Sequence, residues 1–163
     1  MTLIVRPYCA EDRAHAALIF FRAVREGATA FYDAAQRAAW APDPEPEWAE
    51  PDKLLDQWCW IAERAGQPVG FMSLDHEGYL DMAFVLPEEM GRGTSDALYA
   101  ALIAHAHMAG LRRLTVTASL QARRFFLKKG WQISWMENLT ADGQTYIIFR
   151  MFTDLAEEAG HGG

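Results

Sequence analysis

The chain has 163 residues, 51% of them hydrophobic and 23% charged, a size and balance that fit one folded domain with its own core and exclude a disordered polypeptide. Its formal net charge of −7 argues against a nucleic-acid partner, which normally leaves a basic footprint, and suits an amine or another cation. Cys9 and Cys59 lack the spacing of a metal site, so no metal is expected.

In chain order, residues 3–8 read as a first strand, with β-branched Ile4 and Val5 and with Pro7 near its end. Glu11 and Asp12 open a helix in which Ala17, Leu18, Phe21 and Val24 recur at three- and four-residue spacing up to the stop at Gly27. A second helix is expected over 30–39. Residues 40–51 interleave Pro42, Pro44, Pro46 and Pro51 with acids, which suits an ordered loop inside the domain. A helical turn over 53–57 leads to strands at 58–64 and 69–75, joined through Ala65-Gly66-Gln67. A third strand over 79–86 is ended by Pro87.

A glycine loop follows, then a helix over 96–109 with Leu98, Leu102, His105 and Ala109 on one stripe. A strand over 111–118, a short helix over 120–129 closed by Gly130, and strands over 131–137 and 144–152 complete an α+β sheet protein. Residues 1–153 are read as one domain and 154–163 as a polar C-terminal tail. The apolar runs at 14–21 and 97–103 are too short to cross a membrane, and the first ten residues lack the pattern of a signal peptide. The cytoplasm is the expected compartment.

The loop Met90-Gly91-Arg92-Gly93-Thr94-Ser95 lies between a strand and a helix. Free amides at a helix N-terminus bind anions, and glycines let phosphate oxygens approach the backbone, so a diphosphate ligand is implied. A P-loop is excluded because no Gly-x-x-x-x-Gly-Lys-Ser/Thr run exists. A dinucleotide-binding turn fits poorly, because Asp96 fills its third small position and would set a carboxylate beside a pyrophosphate.

Phe84-Val85-Leu86-Pro87-x-x-x-Gly91-Arg92-Gly93 resembles the signature of the GCN5-related N-acetyltransferase (GNAT) superfamily, and the block from Leu114 through Ser119, Ala122, Phe125 and Phe126 to Gly130-Trp131 resembles that family's downstream strand and helix. Tyr32-x-x-Ala-Gln36-x-x-Ala-Trp40-Ala-Pro42 is similar to a group of small bacterial members. The resemblance implies a mixed, mostly antiparallel sheet of six to seven strands flanked by about four helices. It implies acetyl-CoA as co-substrate, without a metal, and acetyl transfer to a primary amine by direct attack in a ternary complex. A strand splayed near Phe84, Val85 and Leu86 would pair with the pantetheine arm, with the Val85 amide polarising the thioester carbonyl. Residues 90–95 would hold the pyrophosphate, with Arg92 adding charge and Arg123, Arg124, Lys128 or Lys129 available to the ribose phosphate.

Three positions depart from the family pattern: Met90 and Ser95 in the loop, and Phe126 where many members carry the tyrosine that protonates the departing thiolate. Asp81, taken to share a strand face with Ala83 and Val85, is the candidate base, acting through water. Ser119, Tyr146, Tyr79 or solvent remain open as the proton donor, with Ser119 expected beside the coenzyme as well as in catalysis. Cys59 between two tryptophans reads as a core residue, and His105 and His107, two apart on a helix, share no ligand site. Tyr32, Trp40, His76 and Trp135 are the candidates for the acceptor side, with Trp48 and the acidic loop nearby. Expected partners are acetyl-CoA and the amine, with no nucleic acid and no membrane, and a homodimer is left open. Phe126 also motivates an alternative, a catalytically weak acyl-CoA sensor or interaction domain on the same fold.

Overall fold

A computed structural model describes residues 2–156; the end expected to fray, 157–163, lies outside the described residues. The elements run β1 (Leu3–Pro7), α1 (Arg13–Arg25), α2 (Ala34–Trp40), β2 (Trp58–Arg64), β3 (Gln67–Leu74), β4 (Tyr79–Val85), α3 (Thr94–Met108), β5 (Arg113–Ala118), α4 (Leu120–Lys128), β6 (Gln132–Ala141) and β7 (Gln144–Asp154), with short 3-10 turns at Ala10–Asp12, Lys53–Asp56 and Pro87–Glu89. The strands form one seven-stranded sheet in the order β1-β2-β3-β4-β5-β7-β6. Every neighbouring pair is antiparallel except β4–β5. The expected α+β architecture is therefore the observed one.

Each face of the sheet buries its own apolar cluster. Ala16, Ile19, Phe20 and Val24 of α1 pack on Ile61, Phe71 and Met82. Leu98, Leu102 and Ala106 of α3, with Phe126 of α4, pack on Leu74, Leu80, Leu114 and Met151 on the other face. The helix stripes differ from the expected ones by a residue or two. Leu18 of α1 is 48% exposed while Ile19 and Phe20 are buried, and in α3 it is Ala106 that is buried with Leu98 and Leu102. The apolar stretch at 16–21 is continuous, so sequence spacing alone does not choose which helix face turns inward.

Helix α2 begins at Ala34 and not at residue 30, because Asp33 caps it: its carboxylate accepts from the Gln36 amide at 2.8 Å while the Gln36 side chain accepts from the Asp33 amide at 3.0 Å. At the other end of the chain, β7 extends through Asp154, whose carboxylate pairs with Arg113 on β5 at 2.6 Å, and the Leu155 amide donates to the Arg112 carbonyl. Residues 154 and 155 thus belong to the domain and not to a tail.

Two irregularities of β4 position the site. Its parallel pairing to β5 holds only two rungs, Tyr79 with Thr115 and Leu80 with Val116, after which the strands part and leave residues 81–85 and 117–118 facing a gap. The second is a bulge: Ser73 pairs with Met82 and Leu74 with Leu80, so Asp81 is the extra residue.

Candidate active site

The amide of Leu86 donates to the Val69 carbonyl on β3 at 2.9 Å. Backbone groups alternate along a strand, so the Val85 amide points the other way, into the gap between β4 and β5. Gly70 lies opposite Val85, and a Cβ there would meet Val85 Cγ1 at 2.9 Å and Leu98 Cδ1 at 3.2 Å. Glycine at this position lets β3, Val85 and α3 approach closely.

Beyond Val85 the chain passes Pro87 and turns through Gly91 (φ +78°) and Gly93 (φ +82°), left-handed conformations that side-chain-bearing residues rarely adopt. Gly93 is the N-cap of α3 and contributes no capping side chain, so the first amides of the helix keep no local acceptor. The loop is held from behind by Glu89, which is 3% exposed. Its Oε1 accepts from Arg64 Nε (2.7 Å) and Thr94 Oγ1 (2.8 Å), and Oε2 from Arg92 Nη1 (2.8 Å). Burial pushes its carboxyl up, but the bonds from Arg64 and Thr94 and the charges of Arg64 and Arg92 outweigh it and hold the group below its usual range.

Two cavities, of about 470 and 620 Å³, share the walls Trp40, Ala83, Phe84, Ser119, Ala122 and Phe126. The larger runs along the glycine loop, and Val85, Met90, Gly91, Gly93, Thr94 and Ser95 line it. Leu86 and Arg92 do not line it: Leu86 packs into both cores, and Arg92 turns back to Glu89. Of the four basic residues on or beside α4, Arg124 and Lys128 face this cavity. Arg123 lies over the Phe149 ring at 4.6 Å, and Lys129 is paired to Asp96 at 2.7 Å.

The smaller cavity holds Asp81, Tyr32 and Trp40 among its walls, with Trp48, Tyr79 and Tyr146. Asp81 does not share a face with Ala83 and Val85. The bulge turns its carboxylate to the α1 side, where Oδ2 accepts from Lys53 Nζ at 2.9 Å and Gln57 Nε2 at 2.8 Å. Ala83 and Val85 pack on the opposite core. Ser119 caps α4, its Oγ accepting from the Ala122 amide at 3.0 Å, and it borders both cavities. Phe126 is 1% exposed against Trp131, with ring centroids 4.8 Å apart.

Two acceptor candidates lie elsewhere. His76 lines neither cavity and stacks on Trp58 at 4.5 Å, and His105 meets the same indole at 4.5 Å. Trp135 is 56% exposed on β6, where it pairs across to Arg150 of β7, and lines neither cavity. Cys59 is buried, and burial first, then Asp52 and Asp12, pushes its thiol up, the opposite of an activated nucleophile. Among the described residues no group of three or more His, Cys, Asp or Glu is gathered to hold a metal. None of the helices described is long and apolar enough to cross a membrane.

Lys53, Gln57 and Glu89 were not singled out from sequence. Their signal is tertiary: the two that hold Asp81 come from a 3-10 turn over twenty residues upstream, and Glu89 reads locally as one more loop acid.

A family model described as an acetyltransferase (GNAT) domain matches residues 23–151. The chain belongs to the GNAT acetyltransferase family. A curated relative, the uncharacterized N-acetyltransferase YafP of Escherichia coli (strain K12), is 36% identical over 148 residues, covering 90% of this chain and 93% of the relative. The crystal structure of a GCN5-related N-acetyltransferase from Rhodopseudomonas palustris superposes with a TM-score of 0.87 at 33% identity, covering 95% of this chain and 97% of that one. Two further structures share the fold at low identity. The yncA putative acetyltransferase of Salmonella typhimurium, solved with acetyl-CoA, has a TM-score of 0.70 at 19% identity, covering 98% of each chain. The paia N-acetyltransferase of Thermoplasma acidophilum, solved with coenzyme A, has 0.74 at 16% identity, covering 95% of this chain and all of that one.

Proposed function

We propose that this GNAT acetyltransferase moves the acetyl group of acetyl-CoA onto a primary amine by direct attack in a ternary complex. The observation that carries this reading is a pair of cavities that share the walls Phe84, Ser119 and Phe126, the larger lined by the glycine loop and the smaller by Asp81 and aromatic side chains. Two fold relatives were solved with acetyl-CoA and with coenzyme A, which supports an acyl-CoA donor here.

In this reading the pyrophosphate rests on the amides of residues 91–95, and Arg124 and Lys128, which face the same cavity, attract the ribose phosphate. The pantetheine arm lies along the unpaired edge of β4. The amine nitrogen attacks the thioester carbon; the new C–N bond forms as the carbonyl becomes an oxyanion beside the Val85 amide. Collapse breaks the C–S bond. The attacking neutral amine gives up one proton to Asp81 through water and keeps the other as the amide N–H, while the sulfur takes one from Ser119, whose hydroxyl is restored from solvent, in place of the phenol that Phe126 lacks.

Donor and acceptor roles are tested by calorimetry with acetyl-CoA and by thiol release with a panel of amines. Asp81→Asn should lower kcat by about 100-fold, whereas Lys53→Met, which takes away the pairing and leaves the carboxylate, should cost far less. Equal losses in the two variants would reduce Asp81 to a structural partner of Lys53. Phe126 favours a second reading, an acyl-CoA sensor, whose mark would be coenzyme binding with no thiol released for any amine.

A further inference from the structure

The acceptor chamber has a shape and a lining that narrow the amine further. Its outer side is bridged: Gln36 Nε2 of α2 donates to the Thr145 carbonyl of β7 at 3.0 Å, and the Tyr146 hydroxyl donates back to the Gln36 carbonyl at 2.7 Å. Tyr32 and Trp40 pack edge-on to Tyr146 at 5.9 and 6.4 Å and seal the bridge. An extended polypeptide entering between α2 and the β6–β7 hairpin would have to break these contacts.

The inner walls are aromatic. Phe20 packs on Trp48 at 5.6 Å and on Phe84 at 5.0 Å, and Trp40 on Phe84 at 6.2 Å, so the chamber offers ring edges and faces, while the wall hydroxyls of Tyr32, Tyr79, Thr117, Ser119 and Tyr146 are each already engaged in a hydrogen bond within the protein. Its charged walls are Lys53, Asp81 and Asp142. Lys53 pairs with Asp81 at 2.9 Å, so two carboxylates and one ammonium give the lining a single net negative charge. That matches one ammonium group. It does not match a polycation, which needs several carboxylates, and with no arginine in this lining it offers little to an acceptor bearing its own carboxylate. A volume of about 470 Å³ suits a small molecule.

We infer that the acceptor is a primary monoamine on a compact aromatic or apolar body, and not a polypeptide N-terminus, a polyamine or an aminoglycoside. The ring would lie among Trp40, Trp48 and Phe20, with the nitrogen directed toward the gap beside Asp81. This inference rests on the acetyltransferase reading above and refines its acceptor.

The test measures thiol release from acetyl-CoA with phenethylamine, tryptamine, butylamine, spermidine, kanamycin and an uncharged tetrapeptide with a free N-terminus. Phenethylamine and tryptamine should exceed the last three in kcat/KM by at least about tenfold. Trp40→Ala should raise KM for phenethylamine about tenfold more than for butylamine, and Trp40→Phe, which keeps a ring and guards against misfolding, should fall between. Spermidine, kanamycin or the peptide matching or exceeding the arylalkylamines would overturn the acceptor class while leaving the acetyltransferase reading intact. Coenzyme binding with no turnover of any amine would remove both.

Discussion

Thr94, the first residue of α3, donates its hydroxyl to the buried carboxylate of Glu89 across 2.8 Å, tying the helix to the residue that precedes the glycine loop. Glu89 also holds Arg64 and Arg92, so one carboxylate organises three donors behind the loop whose amides face the larger cavity. The loop's shape is therefore set by a side chain that lies outside its glycine motif.

Replacing this group separates structure from binding. Glu89→Gln removes the charge opposite the largely buried Arg64 and should lower unfolding free energy by about 3 kcal/mol, read from urea denaturation. Arg92, released from its pair, then faces the phosphate side. Coenzyme A affinity by calorimetry should hold or tighten at low salt and weaken more steeply with added salt than the parent protein's. A large loss of affinity at low salt, with stability unchanged, would contradict this division of labour.

Ser119 offers a second test, because it has a structural task as well as the chemical one proposed for it. Ser119→Ala should cost about 1 kcal/mol through loss of the α4 cap and lower kcat by 10- to 100-fold, roughly what a lost proton donor removes. Ser119→Asn restores the cap without the hydroxyl, so its stability should recover while its rate does not. Adding Phe126→Tyr to Ser119→Ala places a phenol on the shared wall and should recover part of the rate. If Ser119→Asn runs at the parent rate, the serine is a cap alone.

The third prediction concerns acid stability. Two 2.8 Å hydrogen bonds from the Arg6 guanidinium, helped by the Cys9 amide, hold the Asp12 carboxyl down to about 2. A carboxyl lowered by folding stabilises the native state in full above its unfolded value near pH 4, and that contribution fades as pH falls toward 2. Asp12→Asn should therefore lose about 2 kcal/mol at pH 7, with the difference from the parent protein shrinking below pH 4 and vanishing near pH 2. Paired urea titrations across that range read it directly.

Strand and helix identities were legible because periodicity and punctuation agreed, and β2 matches the expected 58–64 span because turn residues bound it on both sides. The glycine loop was legible for a similar reason: a turn through two left-handed positions carries its requirement in residue type. The acceptor side was read less well. Asp81 was placed on the wrong face because alternation assumes a regular ladder, and the bulge at this residue resets it. His76 and Trp135 carry suitable chemistry but lie on a turn stacked against Trp58 and on an outer strand, facts fixed by strand order that no local pattern encodes.

The two-rung seam between β4 and β5 has a mechanical consequence. Strands β1–β4 and β5–β7 form two half-sheets that the backbone joins along a short margin, so the edge beside the gap is left without its complement of interstrand bonds. A pantetheine arm lying there would act as a missing strand, stitching the halves by the same amides that would activate its thioester. The rigidity of the molecule would then rise and fall with the supply of acyl donor, and the enzyme would be firmest when it is loaded.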